Sequence, residues 1–175
     1  IYKGYRDRLF RQKQIDIKKE ALIARLDSHF VGNTMDSINL FLEQNDKEKA
    51  GKYLIDFHRL IRETLANSFK KAIPIQNDLD FLNKYFALEQ LRFKDGALKL
   101  EVVLDEKIDI ENDLIPPMVL QTFVENSIKH GFRKSEGGTV KVFIKESKGF
   151  LECTIEDNGI GRSASMFFHA LKKDS

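Results

Sequence analysis

The chain has 175 residues, 42% apolar and 32% charged, and its 29 Lys and Arg nearly balance 27 Asp and Glu for a net charge of +2. That supplies core material for one ordinary domain or two small ones, and the balanced charge gives no general reason to expect a nucleic-acid partner. A single cysteine excludes an internal disulfide, and no apolar run approaches the length of a membrane span.

The first twenty residues are locally basic, with Lys3, Arg6, Arg8, Arg11, Lys13, Lys18 and Lys19 against Asp7, Asp16 and Glu20. This reads first as a solvated helix face, and alternatively as a segment just inside a membrane, where positive residues accumulate. The start at Ile1 rather than Met, with no signal-peptide pattern, reads as a fragment. Residues 3–44 contain no proline and suit a long helix, with Leu22, Leu26, Phe30, Met35, Ile38 and Leu42 as its apolar stripe. Gln44-Asn45-Asp46 is a turn, and Asp46 is the expected N-cap of a second helix. Ala50, Tyr53, Leu54, Phe57, Leu60, Ile61 and Leu65 form one face of that helix, which stops before Pro74. A helical hairpin cannot cover both of its apolar stripes alone, so the expectation is a dimeric four-helix bundle.

Beyond Pro74 the pattern changes. A third helix is expected to start near Asn77 and Asp80 and to run to about Phe93, closed by Lys94-Asp95-Gly96. Residues 98–104 alternate as a strand should. Pro116-Pro117 is expected to open a fourth helix that ends at Gly131. Strands follow over 139–145 and 150–156, the second holding Cys153 as a buried, inert thiol. The fold class expected is α+β, with helices on one face of a mostly antiparallel sheet. Residues 1–70 form the hairpin domain and 71–175 the sandwich domain.

Two segments carry the chemistry. Phe123-Val-Glu-Asn-Ser-Ile-Lys-His-Gly131 puts Asn126, Lys129 and His130 at helical spacings of three and four, where they can share one groove. An amide oxygen suits Mg²⁺ and a lysine suits phosphate. Alone, the segment also reads as the polar face of an amphipathic helix. In Glu156-Asp-Asn-Gly-Ile-Gly-Arg162, Asp157 emerges at a strand end, where its carboxylate could accept a hydrogen bond from an exocyclic amine such as that of adenine. Gly159 and Gly161 let the backbone approach a planar ring. Asp-Asn-Gly by itself is also an ordinary tight turn.

In this order and spacing, the pair resembles the N box and first glycine box of the ATP-binding fold shared by bacterial histidine kinases, gyrase and Hsp90. The resemblance implies that Asn126 holds Mg²⁺, that Asp157 reads adenine, that Lys129 and His130 lie near the phosphates, and that Gly159 and Gly161 line the base pocket. Gyrase-like members carry a water-activating glutamate four residues before the asparagine. Thr122 stands there, which argues against plain hydrolysis. Upstream, Ala21-Leu-Ile-Ala-Arg-Leu-Asp-Ser-His-Phe-Val-Gly-Asn33 resembles the phosphoacceptor segment of LytS-type sensor histidine kinases, with His29 as the phosphorylated residue. Tyr85 to Phe93 and Ile115 to Gln121 are similar to further segments of that family.

The resemblance implies an ATP- and Mg²⁺-dependent kinase that phosphorylates His29 and serves a response regulator. It also implies a homodimer with no direct nucleic-acid partner, the cytoplasmic portion of a bacterial inner-membrane sensor whose anchor lies outside this chain. Ser28 and Gly32 depart from the family's proline and aromatic residue, and the chain ends fourteen residues past Gly161, where the family continues through a lid that Met166 to Lys172 would begin, a second glycine box and closing strands. The competing expectation is therefore a non-catalytic dimeric signalling module with weak or no nucleotide binding. His58 and His169 have no such context and are expected to be ordinary surface residues.

Overall fold

A computed structural model describes residues 28–93, 97–132, 136–147 and 149–159, with backbone alone at 28, 29 and 164–168. The chain divides into two compact units, Ile1–Gly51 and Lys52–Ser175. The division falls inside the second described helix.

The first unit contains helix α1 (Ser28–Glu43) and the opening of α2 (Lys47–Asn67). The turn between them forms as expected: Asn45 takes a positive φ of 59°. Asp46 caps α2, its Oδ1 accepting from the Lys49 N–H at 3.0 Å. The expected α1 stripe is displaced. Phe30, Thr34, Ser37 and Phe41 are the buried line, whereas Met35 and Leu42 are exposed. The helix carries apolar residues on two faces, so periodicity alone does not choose between them. The two buried hydroxyls are satisfied within the helix, Thr34 Oγ1 donating to the Phe30 carbonyl and Ser37 Oγ to that of Asn33, both at 2.9 Å. Helix α2 has the same character: Ala50, Tyr53, Phe57, Leu60 and Thr64 are buried, while Leu54, Ile55 and Leu65 are exposed. Leu54 and Leu65 thus leave the single face expected of them.

In the second unit, β1 (Ile73–Pro74) leads directly into α3 (Ile75–Gln90) and pairs antiparallel with β3 (Leu114–Ile115). The helix starts two residues before Asn77, and no side chain caps it. Its first N–H groups are instead taken by main-chain carbonyls, Ile75 N–H by Asp113 and Gln76 N–H by Ile110. Strand β2 (Leu98–Leu104) precedes β3, and α4 (Val119–Gly131) follows it. Strands β4 (Gly138–Ser147), β5 (Phe150–Asp157) and β6 (Ala164–Phe168) complete a four-stranded sheet ordered β2-β4-β5-β6. β2 runs parallel to β4, and the other two pairings are antiparallel. The α+β class is as expected.

Helices α3 and α4 pack on each other and on the sheet. The layer between them holds Phe81, Leu82 and Tyr85 of α3, Leu120 and Val124 of α4, Val140, Val142 and Ile144 of β4, and Leu151, Cys153 and Ile155 of β5. Burial pushes the Cys153 thiol up to about 11, as suits an inert core residue. At the end of α3, Glu89 pairs with Arg92, both side chains largely buried. Tyr85, Phe86, Leu88, Glu89 and Phe93 of the Tyr85–Phe93 segment are therefore core of the second unit, while Leu91 is exposed.

One buried carboxylate fixes how α4 begins. Asp78, on α3, accepts from the main-chain N–H groups of Met118 and Leu120, the latter at 3.1 Å. Met118 is the N-cap and sits in the left-handed region at φ 61°, unusual for a residue with a side chain. The helix consequently opens at Val119, two residues beyond Pro117, and the prolines belong to the approach rather than to the first turn. Burial pushes the Asp78 carboxyl up from 3.8 to about 6, against the two N–H donors that act to lower it.

Asp78→Ala leaves two buried N–H groups unpaired and is expected to cost about 2–4 kcal/mol in urea unfolding. Because the folded state holds its Asp78 proton to about pH 6, a further, proton-linked part of the stability is complete below pH 3.8 and is lost as pH rises through about 6. The stability of the parent relative to Asp78→Asn should fall by about 3 kcal/mol across this window. A flat difference would refute the buried-carboxyl assignment.

Candidate functional site

The site is assembled where the last turns of α4 meet the end of β5. Leu120, Val124, Ile128 and Gly131 recur at intervals of three and four and are the buried line of α4. That leaves Asn126, Lys129 and His130 exposed on the rest of the helix. Lys129 and His130 occupy the last turn, where the helix dipole favours positive charge. Thr122, one turn before Asn126, donates its hydroxyl to the Met118 carbonyl at 2.8 Å. A hydroxyl so engaged cannot replace a carboxylate base. Glu125 is half-buried and accepts from Gln121 Nε2 at 3.2 Å.

Strand parity delivers Asp157. Leu151, Cys153 and Ile155 of β5 face the helices, and Asp157 continues that alternation opposite Val140 of β4. Its carboxylate therefore ends on the helix side of the sheet, beside the α4 terminus. Oδ1 accepts from the Gly159 N–H at 3.1 Å, closing a tight turn. Asn158 anchors this turn to β4, since its Oδ1 accepts from the Thr139 N–H at 2.7 Å while its own N–H donates to the Thr139 carbonyl at 3.3 Å.

Gly159 has a role that its motif does not announce. A Cβ there would lie 2.2 Å from the Gly131 carbonyl oxygen, so the turn after β5 rests directly on the last residue of α4. The glycine is required by main-chain packing between the two motifs as well as by access for a ligand. The structure thus brings together the Gly131 end of the first segment and Asp157-Asn158-Gly159 of the second. Gly161 lies outside the described residues. His29 lies in the first turn of α1, within the first unit. Asp78, Asn158 and Gly131 escape a reading by motif. Asp78 acts across forty residues, and the other two act by packing and main-chain hydrogen bonds.

Among the described residues, no group of three or more His, Cys, Asp or Glu is placed to hold a metal ion. A single exposed amide, Asn126, beside the exposed Lys129 and His130, fits a Mg²⁺ that arrives with a nucleotide's phosphates and keeps most of its waters. It does not fit a metal caged by protein alone. No described helix is long and apolar enough to cross a membrane.

The family model described as histidine kinase matches residues 17–97. The sensor protein LytS of Bacillus subtilis is 34% identical over 147 residues, covering 83% of this chain and 24% of that protein. The sensor protein LytS of Enterococcus faecalis is 31% identical over 150 residues, 85% of this chain and 24% of its own length. A sensor histidine kinase/phosphatase LytS from Staphylococcus aureus is also 31% identical, over 85% of this chain and 25% of its own length. The chain therefore spans about a quarter of the length of the curated relatives it matches.

Gly159→Ala is expected to cost about 1–3 kcal/mol in urea unfolding by forcing the turn off the α4 carbonyl. An unchanged midpoint would mean that the two motifs do not rest on each other.

Proposed function

The chain belongs to the histidine kinase family, as a LytS-type member, and on that premise we propose that it carries the phosphoacceptor and nucleotide-binding parts of a two-component sensor kinase. The observation that carries this reading is the contact between the two motif segments: Asp157, Gly159 and the end of the Asn126 helix form one corner of the second unit. In this reading Asp157 accepts the exocyclic amine of adenine, and Lys129 and His130 steady the phosphates. Asn126 holds Mg²⁺, Gly159 and Gly161 border the base, and residues 1–70 and 71–175 act as the two working domains.

ATP is the phosphoryl donor, and Mg²⁺ bound with it would neutralise charge on the moving group. A ring nitrogen of His29 forms the N–P bond as the bond between the γ-phosphorus and the bridging oxygen breaks; ADP leaves with that electron pair, and the imidazole releases its proton. Neutral imidazole is a competent nucleophile near pH 7. The N–P bond is then exchanged for an acyl-phosphate bond to an aspartate of a response regulator. Thr122, committed to the Met118 carbonyl, leaves this position without a water-activating base, which favours transfer over hydrolysis.

The assembly proposed is a homodimer through the amino-terminal helices. Its support is the second apolar line on each, Met35 and Leu42 on α1, Leu54 and Leu65 on α2, all exposed in the single chain. The partner acting after phosphorylation is a receiver domain, and the anchor belongs to a membrane portion outside this chain. A non-catalytic signalling module is the second reading, favoured by Ser28 and Gly32 beside His29.

Full-length protein incubated with labelled ATP and Mg²⁺ should become labelled at His29, and His29→Gln should lose at least about 99% of the label, since no other group supplies the nucleophile. Equal labelling of His29→Gln would remove the acceptor assignment. No labelling and no nucleotide binding by the parent would favour the second reading.

A further inference from the structure

The Asp157 carboxylate does not stand alone at the end of β5. It lies against the Cα of Gly131, the last residue of α4. A Cβ at Gly131 would sit 3.1 Å from Asp157 Oδ1, 3.4 Å from its Cγ and 3.8 Å from Oδ2. Gly131 is buried, its carbonyl is covered by Gly159, and its φ is not positive. Backbone strain therefore does not require a glycine here. What a side chain here would press on is the neighbouring carboxylate.

The two carboxylate oxygens have different surroundings. Oδ1 is engaged by the Gly159 N–H and is nearer to Gly131; Oδ2 points further from α4. We propose that Gly131 is a positioning residue for base recognition: its missing side chain lets Asp157 seat Oδ1 on the Gly159 amide and present Oδ2 to the 6-amino group of the purine. This inference rests on the reading of Asp157 as the adenine-binding carboxylate.

A methyl group at position 131 would press on Oδ1 at 3.1 Å, tighter than ordinary packing, with Cγ at 3.4 Å, so the carboxylate has to give by a few tenths of an ångström. Cγ is only one bond from the Asp157 Cβ, so the group cannot swing clear as the end of a long side chain could. The carboxylate must rotate, and that loosens the Gly159 bond and misdirects Oδ2. The effect is specific. It should fall on nucleotides carrying the 6-amino group and spare those without it, because phosphate and ribose contacts are untouched. A hydrogen bond to a charged group accounts for a preference of about 10- to 100-fold.

The test compares ATP with purine riboside triphosphate, which lacks the 6-amino group, by competition binding to the full-length protein. Gly131→Ala should reduce the preference for ATP about 3- to 10-fold while changing affinity for the purine analogue less than about 2-fold. Equal weakening for both nucleotides, or no change for either, would make Gly131 a packing residue only and overturn the inference. Asp157→Ala separates the two levels. If it keeps the full ATP preference, the base-reading assignment fails, whatever Gly131→Ala does. If it loses the preference while Gly131→Ala retains it, only the present inference fails. A stability cycle covers the case in which Gly131→Ala folds poorly. The Tm cost of Gly131→Ala should largely disappear in an Asp157→Ala background, and an undiminished cost there would show that the methyl does not meet this carboxylate.

Discussion

The second unit depends on a carboxylate that contributes no chemistry. Asp78 lies in the packed layer between α3 and α4, and its two oxygens satisfy the main-chain N–H groups where α4 begins. Those donors have no partner within their own helix, and buried without Asp78 they would cost more than the hydrogen bonds gain. The same pair holds Met118 in a left-handed conformation that a side chain ordinarily avoids. Once the start of α4 is pinned, its length and periodicity determine where its last turn lands. That turn is where Gly131 meets Asp157 and Gly159.

The placement has an electrostatic consequence. Asp157 lies beside a helix C-terminus, whose partial charge is negative, and no main-chain donor other than Gly159 is hydrogen-bonded to it among the described residues. Such a carboxylate gains from a hydrogen-bond donor on an incoming ligand, as an exocyclic amine would supply. Lys129, two residues before Gly131, brings positive charge to the same helix end, and His130 follows it. A ligand with a donor at one end and phosphates at the other matches this distribution, which is why a purine nucleotide is the reading of choice.

Much of this was legible because it is local or periodic. The buried line of α4 follows from Leu120, Val124 and Ile128, and the helix-side position of Asp157 follows from the alternation of Leu151, Cys153 and Ile155. The cap at Asp46 is likewise an Asx residue doing what its side chain does best. What escaped was long-range or degenerate. Nothing near Asp78 announces a partner forty residues away. α1 and α2 each have two apolar lines, so Met35, Leu42, Leu54 and Leu65 could be assigned to a core face and prove exposed. Helix α3 starts early because loop carbonyls, not a capping side chain, satisfy its first donors. Gly159 read as an opening for a ligand and also proves to be a seat for another segment of main chain.

The central claim is that the end of α4 and the turn after β5 form a single nucleotide site. Amide hydrogen exchange on the full-length protein, with and without a non-hydrolysable ATP analogue and Mg²⁺, addresses it most directly. Joint gain of protection over 124–131 and 155–159 on nucleotide addition is the expected result. Protection of one segment without the other, or of neither while the nucleotide is bound, would contradict the account.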